Sequence, residues 1–414
     1  MNYRGKEYSA RKNSGRETPR YMETEQVLEL IRPTLKRIGV TSLSNFTNMD
    51  RIGIPVAIAV RPASTLLSVS FGKGLSKKQA MVSAAMENIE RYAGTETQLD
   101  WFYGTYREVE AEHTVIPEDQ LLLCRESFFH KDLKLRWTLG WDIVSKQEVA
   151  VPLSQATLLT GRINESSMYV FQSSSNGLAA GVHFAETVAQ GLTEVIERDA
   201  LACHGLLSAL RGVKHPLYRV DLKTIPYPLV RDVLEKFRTA GVECMLFDCT
   251  AHDLKIPTYT CQIFDKKQTH TGMAMGYGAN LNPETAMLRS MTESVLGRSE
   301  AMQGVRENFF PDDYQFNKIS DSLERKEEYL NIEPTTDGNM YADRSGESFH
   351  GDIETMVNIL KAKGFEQVIV LDMTPSESDV PVVRVIVPGL EGCHDMTYSC
   401  FGKRAYEYVR EVSA

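Results

Sequence analysis

Ser83-Ala-Ala-Met-Glu87-Asn-Ile-Glu90-Arg91 and, further along, Glu194-Val-Ile-Glu197-Arg198-Asp199 set the same pattern of charge among apolar neighbours. Steps of three and four residues put Ser83, Glu87 and Glu90 on one face of a helix, and Glu194 with Glu197 on one face of another. On a solvated helix such clusters are intrahelical ion pairs. Here Ala84 and Ala85 flank the first set, while Leu192, Val195, Ile196, Ala200 and Leu201 surround the second. The second helix is apolar nearly all round, so its carboxylates are expected to face into the protein. Buried carboxylates left without cations cost several kcal/mol each. Two such pairs supply oxygen ligands for a hard divalent ion, and Mg²⁺ commonly takes one or two carboxylates plus substrate phosphates. A third helix carries Arg289-Ser-Met-Thr-Glu293, with Arg298 beyond. Arg198 and Arg289 are then suited to clamp phosphate oxygens.

Around these helices the chain alternates strands and helices. Val27, Leu28, Leu30, Ile31, Leu35 and Ile38 recur at helical spacing, predicting a helix over 24–38 stopped by Gly39. Strand-like runs at 54–60 and 67–71 lead through Gly72-Lys73-Gly74 into a helix from Lys77 to about Tyr92. The same order returns later. Gln172-Ser-Ser-Ser-Asn176-Gly177 precedes a helix over 185–210; strands near 242–248, 257–264 and 272–278 precede one over 283–303. A closing unit has a helix at 353–364, a strand at 367–371 and the run Val382-Val-Arg-Val-Ile-Val-Pro388. The expectation is an α/β fold, with mixed α+β sheets and long helices. Residues 1–22 read as a flexible, basic arm, 23–414 as a single domain, and the polar stretch near 305–350 as an insertion or mobile loop.

Composition bounds the function. The chain has 414 residues, 42% hydrophobic and 24% charged, with 46 Lys+Arg against 55 Asp+Glu and a net charge of −9. That length buries a full core without staples, and the acidic balance opposes nucleic-acid or anionic-membrane binding. The polar start, Met1-Asn-Tyr-Arg-Gly-Lys-Glu-Tyr8, lacks a signal-peptide core, and no apolar run is long enough to span a bilayer. A cytoplasmic protein is expected. Its seven cysteines are scattered with no Cys-x-x-Cys pair, and Cys203, near the charged pair at 194 and 197, reads as core filler. A mixed cluster, Cys393-His394 with Cys400, lacks a fourth close partner.

The implied nucleotide site has none of the usual phosphate loops or kinase motifs. Gly72-Lys73-Gly74 reads as a strand-to-helix turn, and Asn176-Gly-Leu-Ala-Ala-Gly181 could let backbone N–H groups approach a ligand. Taken together, Gly-Lys-Gly, Ser83-x3-Glu87-x2-Glu90-Arg91, Ser175-Asn176-Gly-Leu-Ala-Ala-Gly181, Glu194-x2-Glu197-Arg198-Asp199 and Arg289-x3-Glu293 resemble the YcaO family, from about residue 16 to Arg404. The resemblance implies a YcaO-type ATP-binding fold in which Glu87, Glu90, Glu194 and Glu197 coordinate Mg²⁺. Ser83, Arg198, Arg289 and Glu293 would contact the nucleotide or order its phosphates, with looser matches at Arg16 and Thr24. It further implies that Glu197, Arg198 and Arg289 serve ATP-dependent O-phosphorylation of a peptide backbone amide.

Azoline-forming relatives typically end in a Pro-x-Pro-x-Pro tail, whereas this chain ends Tyr408-Val-Arg-Glu-Val-Ser-Ala414 with no proline after Pro388. It looks more like the TfuA-associated members that install a thioamide. Ile52-Gly-Ile-Pro-Val56 and Val385-Ile-Val-Pro-Gly-Leu-Glu391 fit that branch, and read equally as strand and turn. The expected partners are a peptide or protein substrate and a TfuA-like sulfur-delivery protein, and family members are commonly homodimers. Azoline or amidine formation on a ribosomal precursor peptide is the alternative within the enzyme class. An ATP-binding scaffold is the alternative outside it, and need not keep four such carboxylates together with two such arginines.

Overall fold

The computed structural model describes residues 1–13, 19–158, 170–213, 215–265, 272–304, 307, 326–392 and 400–413. The chain opens with a short antiparallel hairpin, β1 (Asn2–Tyr3) and β2 (Lys6–Glu7). Helix α1 (Thr24–Arg37) follows, buried along Val27, Ile31 and Leu35. Strands β3 (Ser42–Asn45), β4 (Val56–Val60) and β5 (Val69–Lys73) form a three-stranded antiparallel sheet. Helix α2 (Lys77–Glu96) then starts at Ser76, whose side chain accepts from Gln79 N.

Next come β6 (Phe102–Thr105), α3 (Tyr106–Glu112), β7 (Lys134–Asp142), β8 (Gln147–Pro152), α4 (Leu153–Ala156), β9 (Leu178–Ala180) and the long α5 (Phe184–Leu210). The third stretch contains β10 (Tyr218–Asp221), α6 (Pro228–Ala240), β11 (Val242–Asp248), β12 (Thr258–Asp265), β13 (Met273–Ala279), α7 (Pro283–Gln303) and β14 (Thr336–Asp337). The chain closes with α8 (Phe349–Lys361), β15 (Ile369–Asp372), β16 (Val382–Ile386) and α9 (Lys403–Ser413). One sheet runs β6-β7-β15-β16-β9, with β8 paired to β7; another runs β13-β12-β11-β10-β14.

The expected repeat is real: three antiparallel strands followed by a helix laid on the last one occur as β3-β4-β5-α2 and as β11-β12-β13-α7. In both, a glycine lets the helix touch the strand. A Cβ on Gly72 would stand 2.0 Å from Ala84 N, and one on Gly276 2.2 Å from Ser290 O. Gly72-Lys73-Gly74 therefore serves close helix packing, and the strand runs on through Lys73. Helix α5 is buried on most sides because its residues alternate between two packed neighbours, β16 on one flank and α8 and α9 on another.

Two expectations are corrected. Residues 1–13 do not form a free arm: Tyr3 is buried and packs on Phe184 with ring centroids 4.7 Å apart, and Ala10 is buried too. Apolar anchors among the charges hold the segment on the start of α5. Residues 326–350 are not loose either, since Tyr329 is buried against Phe247, β14 pairs parallel with β10, and Tyr341 donates to Asp248 at 2.7 Å. The rest of the 305–350 stretch, except residue 307, lies outside the described residues, as do Cys393 and His394. Cys203 is fully buried, as expected of core filler, and burial pushes its thiol well above the ordinary range.

Candidate nucleotide site

One cavity of about 530 Å³ lies between α2, α5 and α7, with β9 and the segment before α1 completing its wall. Thr24, Ser83, Glu87, Glu90, Glu194, Glu197, Arg198, Arg289 and Glu293 all line it. Every expected residue within the described chain is thus brought to one site. Arg16 lies outside the described residues.

The carboxylates differ in surroundings. Glu197 is 2% exposed and accepts from Ala279 N at 2.8 Å, so the last residue of β13 fixes its orientation. Glu90 accepts from Ala180 N at 2.9 Å; burial, with the nearby charges of Glu194 and Glu87, pushes it well above the usual carboxylate range. That contact changes the role expected of the 176–181 loop, because the Ala180 N–H is taken by a protein carboxylate. Glu87 pairs with Arg91, one turn on, and Arg91 also donates to Val69 O at 2.9 Å. Glu194 is pushed up to about 7 by burial and by Glu197, against the pull of Arg198, Arg289 and Arg384.

The cations are arranged against these groups. Arg198 stands 3.7 Å from Glu194, and the surrounding carboxylates, Glu194 foremost, outweigh burial and hold it above the ordinary arginine range. Burial raises Glu293, but Lys73, in direct ion-pair contact, and then Arg198 and Arg289 pull it below its ordinary value. Arg289 has a buried Nε with no hydrogen-bond partner. An unpaired donor of this kind needs an acceptor from outside the chain.

Four further residues of the site were not singled out from the sequence. Lys73, hidden in what reads as a turn, reaches across to Glu293. Arg20 and Glu186 both line the cavity and stand 3.9 Å apart; Glu186 is 2% exposed and accepts from Tyr21 N and Val182 N, each at 3.3 Å. Gln190 also lines it. The signal for two of them was available: 186, 190, 194 and 197 follow steps of four, four and three along one stripe of an apolar helix. Arg298, by contrast, belongs to the scaffold, paired with Asp50 at 2.8 Å and Asp265 at 2.7 Å.

The YcaO profile, described as a cyclodehydratase that binds ATP and Mg²⁺, matches residues 71–391. The chain belongs to the YcaO family. It is 34% identical over 384 residues to an uncharacterised protein of Methanothermobacter thermautotrophicus, covering 90% of this chain and 95% of that one. It is 32% identical to a Rhizobium leguminosarum bv. trifolii protein described as lying in the tfuA 3′ region, covering 93% and 91%. Among solved structures, YcaO from Methanopyrus kandleri bound with AMPPCP and Mg²⁺ aligns with TM-score 0.69 and 23% identity over 90% of this chain and 93% of that one. A heterocyclase in complex with substrate and cofactor aligns with TM-score 0.79 and 22% identity, covering 99% of this chain, which spans 56% of that larger one. ATP and Mg²⁺ are the family's cofactors.

The residues present fit them. Among the described residues no three acidic, His or Cys side chains converge into a ready-made metal cluster. The cavity instead offers spaced carboxylates interleaved with Arg198, Arg289 and Lys73, the donor set of an ion that shares its shell with phosphate oxygens. No helix among the described residues is long and apolar enough to cross a membrane.

Proposed function

We propose that this protein uses ATP and Mg²⁺ to O-phosphorylate a peptide backbone amide, and that sulfide, delivered by a TfuA-like partner, replaces the oxygen to leave a thioamide. The observation that carries the reading is the joint placement of Glu87, Glu90, Glu194 and Glu197 with Arg198 and Arg289 around one 530 Å³ cavity, large enough for a nucleotide. The relative in a tfuA 3′ region supports the sulfur branch.

In this reading Glu87, Glu90, Glu194 and Glu197 would hold Mg²⁺. Thr24, Ser83, Arg16 and Glu293 order the nucleotide. When bound, Mg²⁺ neutralises phosphate charge and so favours transfer of the γ-phosphoryl group. Arg198 and the unpaired Nε of Arg289 donate to phosphate oxygens, stabilising the charge that spreads over them during transfer. Lys73 holds Glu293 ionised beside them. Hydrosulfide adds to the amide carbon, the amide oxygen attacks the γ-phosphorus, and ADP leaves. The tetrahedral adduct then expels phosphate, which carries away the former amide oxygen and the hydrosulfide proton. An amide oxygen is a poor leaving group, and phosphorylation makes it a good one.

A second reading is cyclodehydration, in which a Cys, Ser or Thr side chain of the peptide supplies the nucleophile; the family description and the heterocyclase fold likeness favour it. Mass spectrometry separates the two. With ATP, Mg²⁺, sulfide and candidate peptides, the thioamide reading predicts exchange of one oxygen for one sulfur, and loss of one water would replace it with the second.

A further inference from the structure

Arg384 sits mid-strand in β16 between four aliphatic neighbours, Val382, Val383, Val385 and Ile386. It is 4% exposed, yet among the described residues its Nε and Nη1 have no hydrogen-bond partner and it forms no ion pair within 4.0 Å. A guanidinium without partners in the interior is expensive, so a chain that keeps one there has a use for it. Burial pulls Arg384 down to about 10, with Glu194 acting the other way.

Arg384 lines a second cavity, of about 40 Å³, together with Gln155, Gln172, Ser174 and Asn176. Two acceptors there are also left over. Gln172 donates through Nε2 to Leu123 O at 3.1 Å, which fixes its amide and leaves Oε1 buried and unpartnered. Asn176 Oδ1 is buried and unpartnered as well. The small cavity adjoins the nucleotide site: Ser174 and Asn176 line the small one while Ser175, between them, lines the large one, and Val195 and Glu194 divide in the same way. Gly177 anchors this partition, since its O accepts from Val385 N at 2.8 Å and a Cβ there would stand 2.1 Å from Val385 O.

One cation and two acceptors in a space of a few heavy atoms describe the ligand. It carries negative charge for Arg384 and still has a proton for Gln172 or Asn176. A halide has no proton to give, a carboxylate brings only acceptors to meet the two amide oxygens, and a hydrogen phosphate is too large for a cavity of about 40 Å³. We infer that the Arg384–Gln172–Asn176 cavity binds hydrosulfide and holds the nucleophile beside the site where the amide is activated. The inference rests on the thioamide reading for its role in turnover, though not for binding itself. The bound ion would accept from Arg384 through sulfur and donate S–H to an amide oxygen, and it crosses the partition to form the C–S bond in the step already written.

The test uses the full chain with AMPPCP and Mg²⁺, titrated anaerobically with sodium hydrosulfide by calorimetry, beside Arg384→Met, Arg384→Lys and Gln172→Leu. One equivalent is expected to bind the unaltered protein, none to bind Arg384→Met, and weakened binding is expected for Gln172→Leu. In turnover, Arg384→Met is expected to raise the KM for sulfide at least tenfold, with KM for ATP unchanged and partial rescue by Arg384→Lys. Because the guanidinium is unpaired, Arg384→Met should melt no lower than the unaltered protein, which a structural role would not allow. Arg384-dependent binding without any thioamide product upholds the site and refutes the thioamide reading. Thioamide formation with sulfide KM and binding indifferent to Arg384 refutes the site.

Discussion

Glu197 and Arg198 are neighbours in sequence with opposite duties: the carboxylate is fixed from behind by Ala279 N, and the guanidinium is left to face the cavity. Glu197→Gln keeps an acceptor for Ala279 N but removes the charge, so folding should survive while Mg²⁺-dependent ATP turnover falls by about 100-fold or more; Arg198→Ala should do the same by removing a donor to the transferring group. Phosphate release measured beside a thermal melt checks both, and unaltered turnover in the two variants would refute these roles. Glu194 adds a pH dependence. Its pKa of about 7 in the fold exceeds the ordinary 4.5, so the folded protein holds a proton there through the weakly acidic range. The stability linked to that proton is present below the ordinary carboxylate range and lost as pH rises through about 7. A metal must displace the proton, so Mg²⁺ affinity should increase as pH rises through neutrality, with protons released on binding below it. Calorimetry in buffers of different ionisation enthalpy reads that release.

At the scale of elements, two strand-helix contacts carry the site. Gly72 sets the approach of α2, and with it Glu87 and Glu90; Gly276 sets the approach of α7, and with it Arg289 and Glu293. Gly72→Ala or Gly276→Ala forces backbone apart and should cost about 1–3 kcal/mol or more, with weaker nucleotide binding, measured by urea unfolding and calorimetry. The docking of α9 has its own titration. His204 of α5 bonds Thr250 O at 3.2 Å and Tyr408 OH at 2.9 Å, and burial pulls it down to about 4. A neutral histidine in the fold and a protonated one in the unfolded chain make stability fall as pH drops from about 6.5 toward 4, by about 3 kcal/mol across the window. Urea unfolding over that range should show the slope, and His204→Gln should flatten it. The long helices were legible from their periodicity, and the caps that start them, Ser76 and Asn282 with Pro283 following, emerge with the structure. The docking of 1–13 and 326–350 was not, since single aromatics in charged segments carry no period; they are held by distant partners such as Phe184 and Phe247.

Over the whole molecule, the site is an assembly of parts far apart in the chain: Arg20 and Thr24 from before and at the start of α1, and carboxylates and cations from α2, α5 and α7. Charge spacing on single helices was enough to find most of it, because a buried face imposes the same three- and four-residue steps whatever lies opposite. What faced those helices was invisible to spacing, which is why Lys73, Arg20 and the unpaired Arg384 of β16 emerge only when the chain is folded. The net charge of −9 speaks for the surface, while seven glutamates, at 87, 90, 186, 194, 197, 293 and 300, line the interior site. Removing residues 1–12 should lower the melting temperature, because Tyr3 and Ala10 leave the core they share with α5. The central claim is that ATP phosphorylates the amide oxygen. A peptide substrate labelled with ¹⁸O in the backbone carbonyl, incubated with the protein, ATP, Mg²⁺ and sulfide, tests it directly by mass spectrometry of the phosphate released. The account predicts one ¹⁸O in that phosphate for each peptide modified; unlabelled phosphate released with modified peptide would contradict it.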